Sequence, residues 1–391
     1  MLRQALFQVH WILGITAGVV LSVVGFTGAM LTFEDELLRG LNREVMEVAP
    51  QAQEALSLGD LFTRLQQANP GQRILALGLS SDPRAAVRVS FERRDKAGAG
   101  ERGRRADIRF ADPYSGALLG AAHRGEKFFQ VTRQVHRYLA AGEVGKQIVG
   151  AATLALLFFC VSGLYLRWPA RARDWRAWLK PNLGASGRQF LWQLHAVIAT
   201  WALLFYLLAG FTGLYWSYDW YRDALVSWSG APRPAQPANR ESGEVVKDQP
   251  LSAAMLERDW QLFQRESGGG FRTATVTLPS RAGQPLEIRY LAADAPHERA
   301  FSSLRMDAQT GAVLRHDRYA ERGSGARLVG SIFPLHSGSY FGLPGQVLMM
   351  AASLTMPFFA ITGWLMYLKR RARKRRALSP GSISPADPER A

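Results

Sequence analysis

Cysteine is almost missing from the chain: Cys160 is the sole one among 391 residues. No disulfide can form within one chain, so nothing in the segments outside the apolar runs is stapled covalently. No C-x-x-C-H sequence occurs, which excludes covalent haem attachment of the c type. No glycine-rich dinucleotide fingerprint leads into a Rossmann pattern, so no flavin or NAD site is expected in this chain. Acid is also scarce, with 32 Asp and Glu against 48 Lys and Arg, a net charge of +16.

Charge of either sign is absent altogether from four stretches, 4–33, 147–166, 189–218 and 328–368. A span of the hydrocarbon core needs about 20 apolar residues, and each stretch supplies them. Four membrane helices are expected, at about 11–33, 145–168, 191–218 and 345–368. A signal peptide is the rival reading of the first stretch, but its apolar core is too long and no small-x-small cleavage site follows it.

The surplus cations cluster between the second and third stretches (Arg167, Arg171, Arg173, Arg176, Lys180, Arg188) and after the fourth, in KRRARKRR at 369–376. Short basic loops stay in the cytoplasm, which puts both termini and the 169–190 loop inside and two large segments, 34–143 and 219–344, outside. A basic tail can also bind nucleic acid. Beside a membrane helix it is better matched to anionic lipid, and no nucleic-acid partner is expected. Trp175 and Trp178 in the inner loop read as interfacial anchors.

Within this frame one stretch occurs twice. His10 precedes Gly-Phe-Thr-Gly at 25–28 by 15 residues, and His195 precedes Gly-Phe-Thr-Gly at 210–213 by the same 15; six residues past each motif stands an acid, Glu34 or Asp219. The second halves align as well. His136 and His336 are each followed nine residues later by glycine, Gly145 or Gly345, and 27 later by Gly163 or Gly363, inside SGLYLRWPARAR and TGWLMYLKRRAR. The chain reads as two parallel repeats, each a helix, an outer domain and a helix, related by a pseudo-two-fold axis along the membrane normal. His10, Gly14 and Gly18 share one helix face. Small residues there serve close helix packing, and would equally leave room for a flat macrocycle beside the histidine.

Each outer segment shows the order helix, strands, D-x-x-[ST]-G-A turn, histidine. Helices are expected at 61–69 and 252–266. Strands are expected at 74–79, 86–91, 107–111, 273–278, 286–291 and 300–306, with a mobile hairpin tip at 93–105 and a flexible stretch at 232–237. The tail 378–391 reads as disordered.

Histidine at membrane depth is rare and usually functional, and four stand at matched places. Zinc wants four nitrogen or sulfur ligands, or three and water, and each pair offers two with no matched cysteine or carboxylate. Haem iron needs two axial ligands, which two imidazoles from facing helices supply. The spacing therefore predicts two non-covalent b haems, His10 paired with His195 and His136 with His336. Arg133, Arg137 or inner-loop arginines could face the propionates or simply snorkel. His123, His297 and His316 have no repeat partners and read as surface histidines.

His10…GFTG, His195…GFTG and Leu335-His336-Ser337-Gly338 together resemble the PepSY-associated transmembrane family of bacterial inner-membrane proteins, over nearly the whole chain to about residue 376. The resemblance implies an α-helical membrane protein with two α+β PepSY-like periplasmic domains. Members include iron-regulated membrane proteins and ferric-siderophore reductases, which implies a bis-histidine di-haem oxidoreductase. It would pass electrons across the membrane, reduce a periplasmic ferric siderophore and release the iron. The electron donor would be a separate quinol or reductase protein. Tyr340 and Phe341 are candidate substrate contacts by position. The alternative is a non-redox membrane-anchored protein whose PepSY domains bind a peptide, a protease or a cell-wall partner; it leaves the four histidines unexplained. A transporter is weaker still, because four helices are few and no broken helix with an intramembrane ion pair is evident.

Overall fold

A computed structural model describes residues 1–92, 106–169, 172–231, 251–268, 270–280 and 283–378. The hairpin tip read at 93–105, the stretch at 232–237 and the tail beyond residue 378 lie outside the described residues. The elements in order are α1 Leu2–Leu31, α2 Glu34–Leu41, α3 Arg43–Met46, α4 Leu58–Ala68, β1 Ile74–Ser80, β2 Val87–Phe91, β3 Asp107–Ala111, β4 Leu118–Gly120, α5 Glu126–Tyr138, α6 Gly142–Arg167, α7 Trp175–Leu179 and α8 Gly187–Ser217. After these come α9 Asp219–Ser229, α10 Ala253–Glu266, β5 Phe271–Thr277, β6 Leu286–Ala292, β7 Phe301–Met306, β8 Val313–Asp317, α11 Ser324–Ser337 and α12 Gly342–Leu378. The chain divides into two compact units, one of residues 1–32, 132–218 and 347–391, the other of 33–131 and 219–346.

The first unit holds α1, α6, α8 and most of α12, each long and apolar enough to cross a membrane. Its core is a narrow seam of Leu21, Ala152, Leu156, Cys160, Ala202, Tyr206 and Ala352. Small residues dominate because lipid gives no hydrophobic drive between helices, so close van der Waals approach and hydrogen bonds hold them. Gly25 lets α1 touch α12: a Cβ there would stand 2.6 Å from Met356 Cβ and 2.7 Å from the Ser353 carbonyl oxygen. Tyr206 crosses the seam in the other direction and donates its hydroxyl to the Ala352 carbonyl at 3.0 Å, beside Thr355.

In the second unit the strands form one antiparallel sheet ordered β4-β3-β2-β1-β5-β6-β7-β8. Separate domains on 34–143 and 219–344 were expected; instead the two segments share a sheet and a core. The join is β1 with β5, running from Ala76 opposite Thr277 to Ser80 opposite Thr273. The physical reason is edge protection: each four-stranded half leaves a row of unpaired backbone groups, and pairing the halves satisfies both rows. One face is covered by α4 and α10, whose Phe62, Leu65, Leu256 and Phe263 meet Leu77, Val89, Val276, Ile288 and Leu304 in a single cluster. Ser57 and Ser252 cap these helices by accepting from Asp60 N and Met255 N. The D-x-x-[ST]-G-A turns close through the aspartates: Asp112 Oδ1 accepts from Tyr114 N at 2.7 Å, and Asp307 Oδ1 from Thr310 N at 2.7 Å and Gln309 N at 3.0 Å. These bonds hold the Asp307 carboxyl below the usual carboxylate range.

Two of the presumed surface histidines need correcting. His297 is buried at 4% exposure, with Nε2 3.0 Å from the Tyr319 hydroxyl and 3.1 Å from Ser331 Oγ. The His316 side chain is 10% exposed, with Nε2 2.8 Å from the Tyr290 hydroxyl. Each ring is drawn inward because a buried hydroxyl offers it a partner. His123 is exposed, as expected.

Candidate functional site

His10 lies in the third turn of α1, and His195 in the third turn of α8. His10 Nδ1 is 2.8 Å from Ser162 Oγ on α6. That hydroxyl already donates to the Phe158 carbonyl at 2.7 Å, so its oxygen accepts and the proton sits on His10 Nδ1. The second ring repeats the arrangement: His195 Nδ1 is 2.8 Å from Thr362 Oγ1 on α12, and Thr362 donates to the Phe358 carbonyl at 2.8 Å. Each imidazole also leans on a phenylalanine one turn earlier, His10 on Phe159 and His195 on Phe359, with ring centroids 4.9 Å apart in both cases. Both histidines lie in the same compact unit, on α1 and α8.

With the proton fixed on Nδ1, the Nε2 lone pair of each ring is the one available to a metal. A ligating histidine typically donates its other N–H to a neighbouring oxygen, which is what Ser162 and Thr362 receive. A Cβ at Gly14, one turn from His10 on the same face, would meet nothing within 4 Å, and the same holds at Gly363, next to Thr362. Among the described residues no three His, Cys, Asp or Glu converge on one metal position. Two imidazoles that each donate Nδ1 and keep Nε2 suit a group that brings its other ligands with it, as a planar tetrapyrrole would.

His136 stands in the last turn of α5. Its Nδ1 is 3.0 Å from the Val24 carbonyl and 3.2 Å from Thr27 Oγ1, and a carbonyl only accepts, so this ring too carries its proton on Nδ1. Gly28 makes the approach possible, because a Cβ there would lie 3.0 Å from His136 Cε1. The Gly-Phe-Thr-Gly motif of α1 thus divides its work: Gly25 admits α12, Thr27 and Gly28 receive His136. His336 is in the last turn of α11, in the second unit, and half-buried. The nine-residue spacing from each histidine to glycine closes a tight turn. Gly145 packs on the Tyr138 carbonyl and Gly345 on the Gly338 carbonyl, both closer than any side chain would allow.

Three consecutive loop residues hold α11 and the turn after it around His336. His297 bonds Ser331, the Glu298 carboxylate accepts from Ser339 Oγ at 2.6 Å, and the Arg299 guanidinium lies over the Phe333 ring at 4.3 Å. Tyr340 stacks near His297 at 5.7 Å, and Phe341 is exposed. In the first unit, Arg167 ties α7 to α8. It donates to the Ala177 and Trp178 carbonyls at 2.8 and 2.6 Å and to the Ala196 carbonyl beside His195. Ser162, Thr362 and Arg167 carry no isolated signal in the sequence, although the aligned letters SG and TG already contain the two hydroxyls.

Four apolar helices, two of which carry a histidine bonded through Nδ1 to a hydroxyl of a neighbouring helix, with a separate sheet unit, define a multi-pass membrane protein. The pattern of the PepSY-associated TM region matches residues 7–370, and the chain belongs to that family. It is also similar to the uncharacterized protein PA4219 of Pseudomonas aeruginosa, at 28% identity over 254 residues, 61% of this chain. The match spans 62% of that relative's length.

Proposed function

We propose that the protein is an inner-membrane oxidoreductase that takes electrons from a separate quinol or reductase protein and passes them across the membrane to a periplasmic ferric chelate of the siderophore class. The observation that carries this reading is the matched pair His10–Ser162 and His195–Thr362, in which both imidazoles keep Nε2 for a metal. Bound between them, haem b would supply one-electron exchange between ferric and ferrous iron.

The protein's own residues do the rest. Ser162 and Thr362 hold the tautomer and fix the rings in plane. Phe159 and Phe359 pack the rings and keep water from them. Arg167 braces α8 next to His195. The second pair, His136 with His336, rests on the repeat in the sequence, and the Val24 and Thr27 contacts prepare His136 in the same way. Orientation follows from the basic loop 169–190 and the basic end of α12, which favour the cytoplasmic side and leave the sheet unit to the periplasm. Reduction to the ferrous state weakens a hard-oxygen chelate, which releases the metal substrate.

The test is the visible spectrum of the detergent-purified protein and of four single alanine variants. Two low-spin b-type signals are expected, with His10→Ala and His195→Ala affecting one and His136→Ala and His336→Ala the other. A colourless protein with intact fold, or four variants with full wild-type spectra, would overturn the assignment. With haem established, anaerobic mixing of the reduced protein with ferric siderophores tests the acceptor; reoxidation at an unchanged rate in His336→Ala would remove that residue's site from the route.

A further inference from the structure

On the sheet face away from α4 and α10, β6 and β7 bear a second feature, which shares with the surroundings of His336 only the stacking of Arg299 on Phe333. Arg289 alternates with the buried Ile288 and Tyr290, so it points to the opposite face, and Arg299 and Arg322 converge on it from the flanking loops. With Glu287, Phe301, Ser302 and Ser303 they line a hollow of about 320 Å3.

The guanidinium groups are held by rings. Arg289 lies over Phe301 at 4.0 Å, Arg299 over Phe333 at 4.3 Å and Arg322 over Tyr319 at 5.5 Å. Stacking fixes the plane of a guanidinium and leaves its edge, with the N–H donors, open. Among the described residues, Arg289 and Arg299 have no salt bridge, and neither side chain donates a hydrogen bond. The two nearby acids are engaged elsewhere, Asp317 by Arg322 at 3.0 Å and Glu287 by Arg305 at 3.6 Å. Partial desolvation, then Arg299, and Arg322 behind it, hold the Arg289 pKa below the ordinary arginine value, while Glu287 opposes them. Arg289 and Arg299 repel one another as like charges, whereas Arg322 already spends donors on Asp317 and the Phe301 carbonyl; a bound oxyanion would reverse the sign of the Arg289–Arg299 interaction.

We propose that Arg289 and Arg299, beside the Asp317-paired Arg322, form an oxyanion-binding site in this hollow, taking the carboxylate of a small organic ligand. Planar carboxylate and tetrahedral phosphate share the recognition chemistry, and both match the donor fork of arginine. The site goes beyond the electron-transfer reading and stands without it, because none of its residues touches a candidate haem ligand.

The experiment is calorimetric titration of the full-length protein in detergent at low salt, with citrate and with inorganic phosphate. Saturable binding of citrate, tighter than that of phosphate, is expected. Arg289→Ala and Arg299→Ala should each weaken it roughly tenfold to hundredfold, the worth of a charge-assisted hydrogen bond. Arg315→Ala, which removes an exposed like charge opposite Arg305 on the neighbouring strand but lies outside the hollow, should leave it unchanged. All three side chains are exposed, and circular dichroism verifies the fold of each variant. Failure of both anions to bind, or equal affinity in the Arg289→Ala and Arg299→Ala proteins, overturns the site. Phosphate binding more tightly than citrate overturns the carboxylate assignment. Loss of haem would leave these titrations unaffected, so the two readings fail separately.

Discussion

The imidazole of His195 gives its Nδ1 proton to the hydroxyl of Thr362 across 2.8 Å, and Thr362 gives its own to the Phe358 carbonyl. The relay runs one way, because the carbonyl at its end cannot donate. Thr362→Val keeps the shape and removes the acceptor. If the ring serves as an axial ligand, haem affinity at that site should fall by roughly ten- to hundredfold with altered reduction potential. Thr362→Ser should restore both. Haem titration of the apoprotein and a potentiometric titration read the two quantities; an unchanged potential in Thr362→Val would make the contact merely structural.

Gly28 and Gly14 should respond differently to alanine. At Gly28 the new methyl meets His136 Cε1 at 3.0 Å, so the ring must shift and the signal assigned to His136 should broaden or weaken. At Gly14 nothing lies within 4 Å, so the fold should be unaffected. A bulkier Gly14→Leu should instead lower haem content at the His10 site alone. Pigment-to-protein ratios of the purified variants decide both cases.

Gly25→Ala places a methyl against Met356 and the Ser353 carbonyl, a helix contact that cannot give way on its backbone side. Overpacking of this kind costs about 1–3 kcal/mol, so the variant should melt earlier in detergent than wild type. Gly40→Ala, where the added carbon meets nothing, is the matched control.

His297 predicts a pH dependence. Burial holds its pKa below the ordinary histidine value, with Arg272 adding to the effect and Glu298 opposing it. The folded state therefore resists protonation that the unfolded chain accepts. Its contribution to stability is present above about pH 6.5 and is lost as the pH falls below that value, by at most about 1.4 kcal/mol per unit. Thermal melts between pH 5 and 8 should fall less steeply on the acid side in His297→Gln than in wild type. Parallel curves would contradict the assignment.

Much of this architecture was legible in the sequence, for reasons that differ from element to element. The four long helices announced themselves by missing charge. Their ends did not. α1 reaches back to Leu2 through Arg3 and Gln4, and α12 runs on to Leu378 through KRRARKRR, because Lys, Arg and Gln are good helix formers. The strands at 107–111 and 286–291 were visible from alternation, but alternation assigns faces, not partners, so the β1–β5 join was out of reach. His10, His195, His136 and His336 stood out through spacing. Ser162 and Thr362 did not, since what marks them is a contact between helices far apart in sequence. His297 was misread because a loop rich in charge, DAPHER, looks exposed until Tyr319 and Ser331 close over it.

The pairing of β1 with β5 has a consequence for biosynthesis. Gly78 lies opposite Thr275, so the ribosome completes the first strand about two hundred residues before its neighbour exists. At roughly 5–20 residues per second, that leaves one edge of the nascent sheet open for about 10–40 s. During this interval two membrane spans must be inserted between the halves. The N-terminal half therefore spends that interval with an unpaired strand edge, which a holding chaperone would protect. A chain stalled after α8 should expose β1 to proteolysis that the finished protein resists.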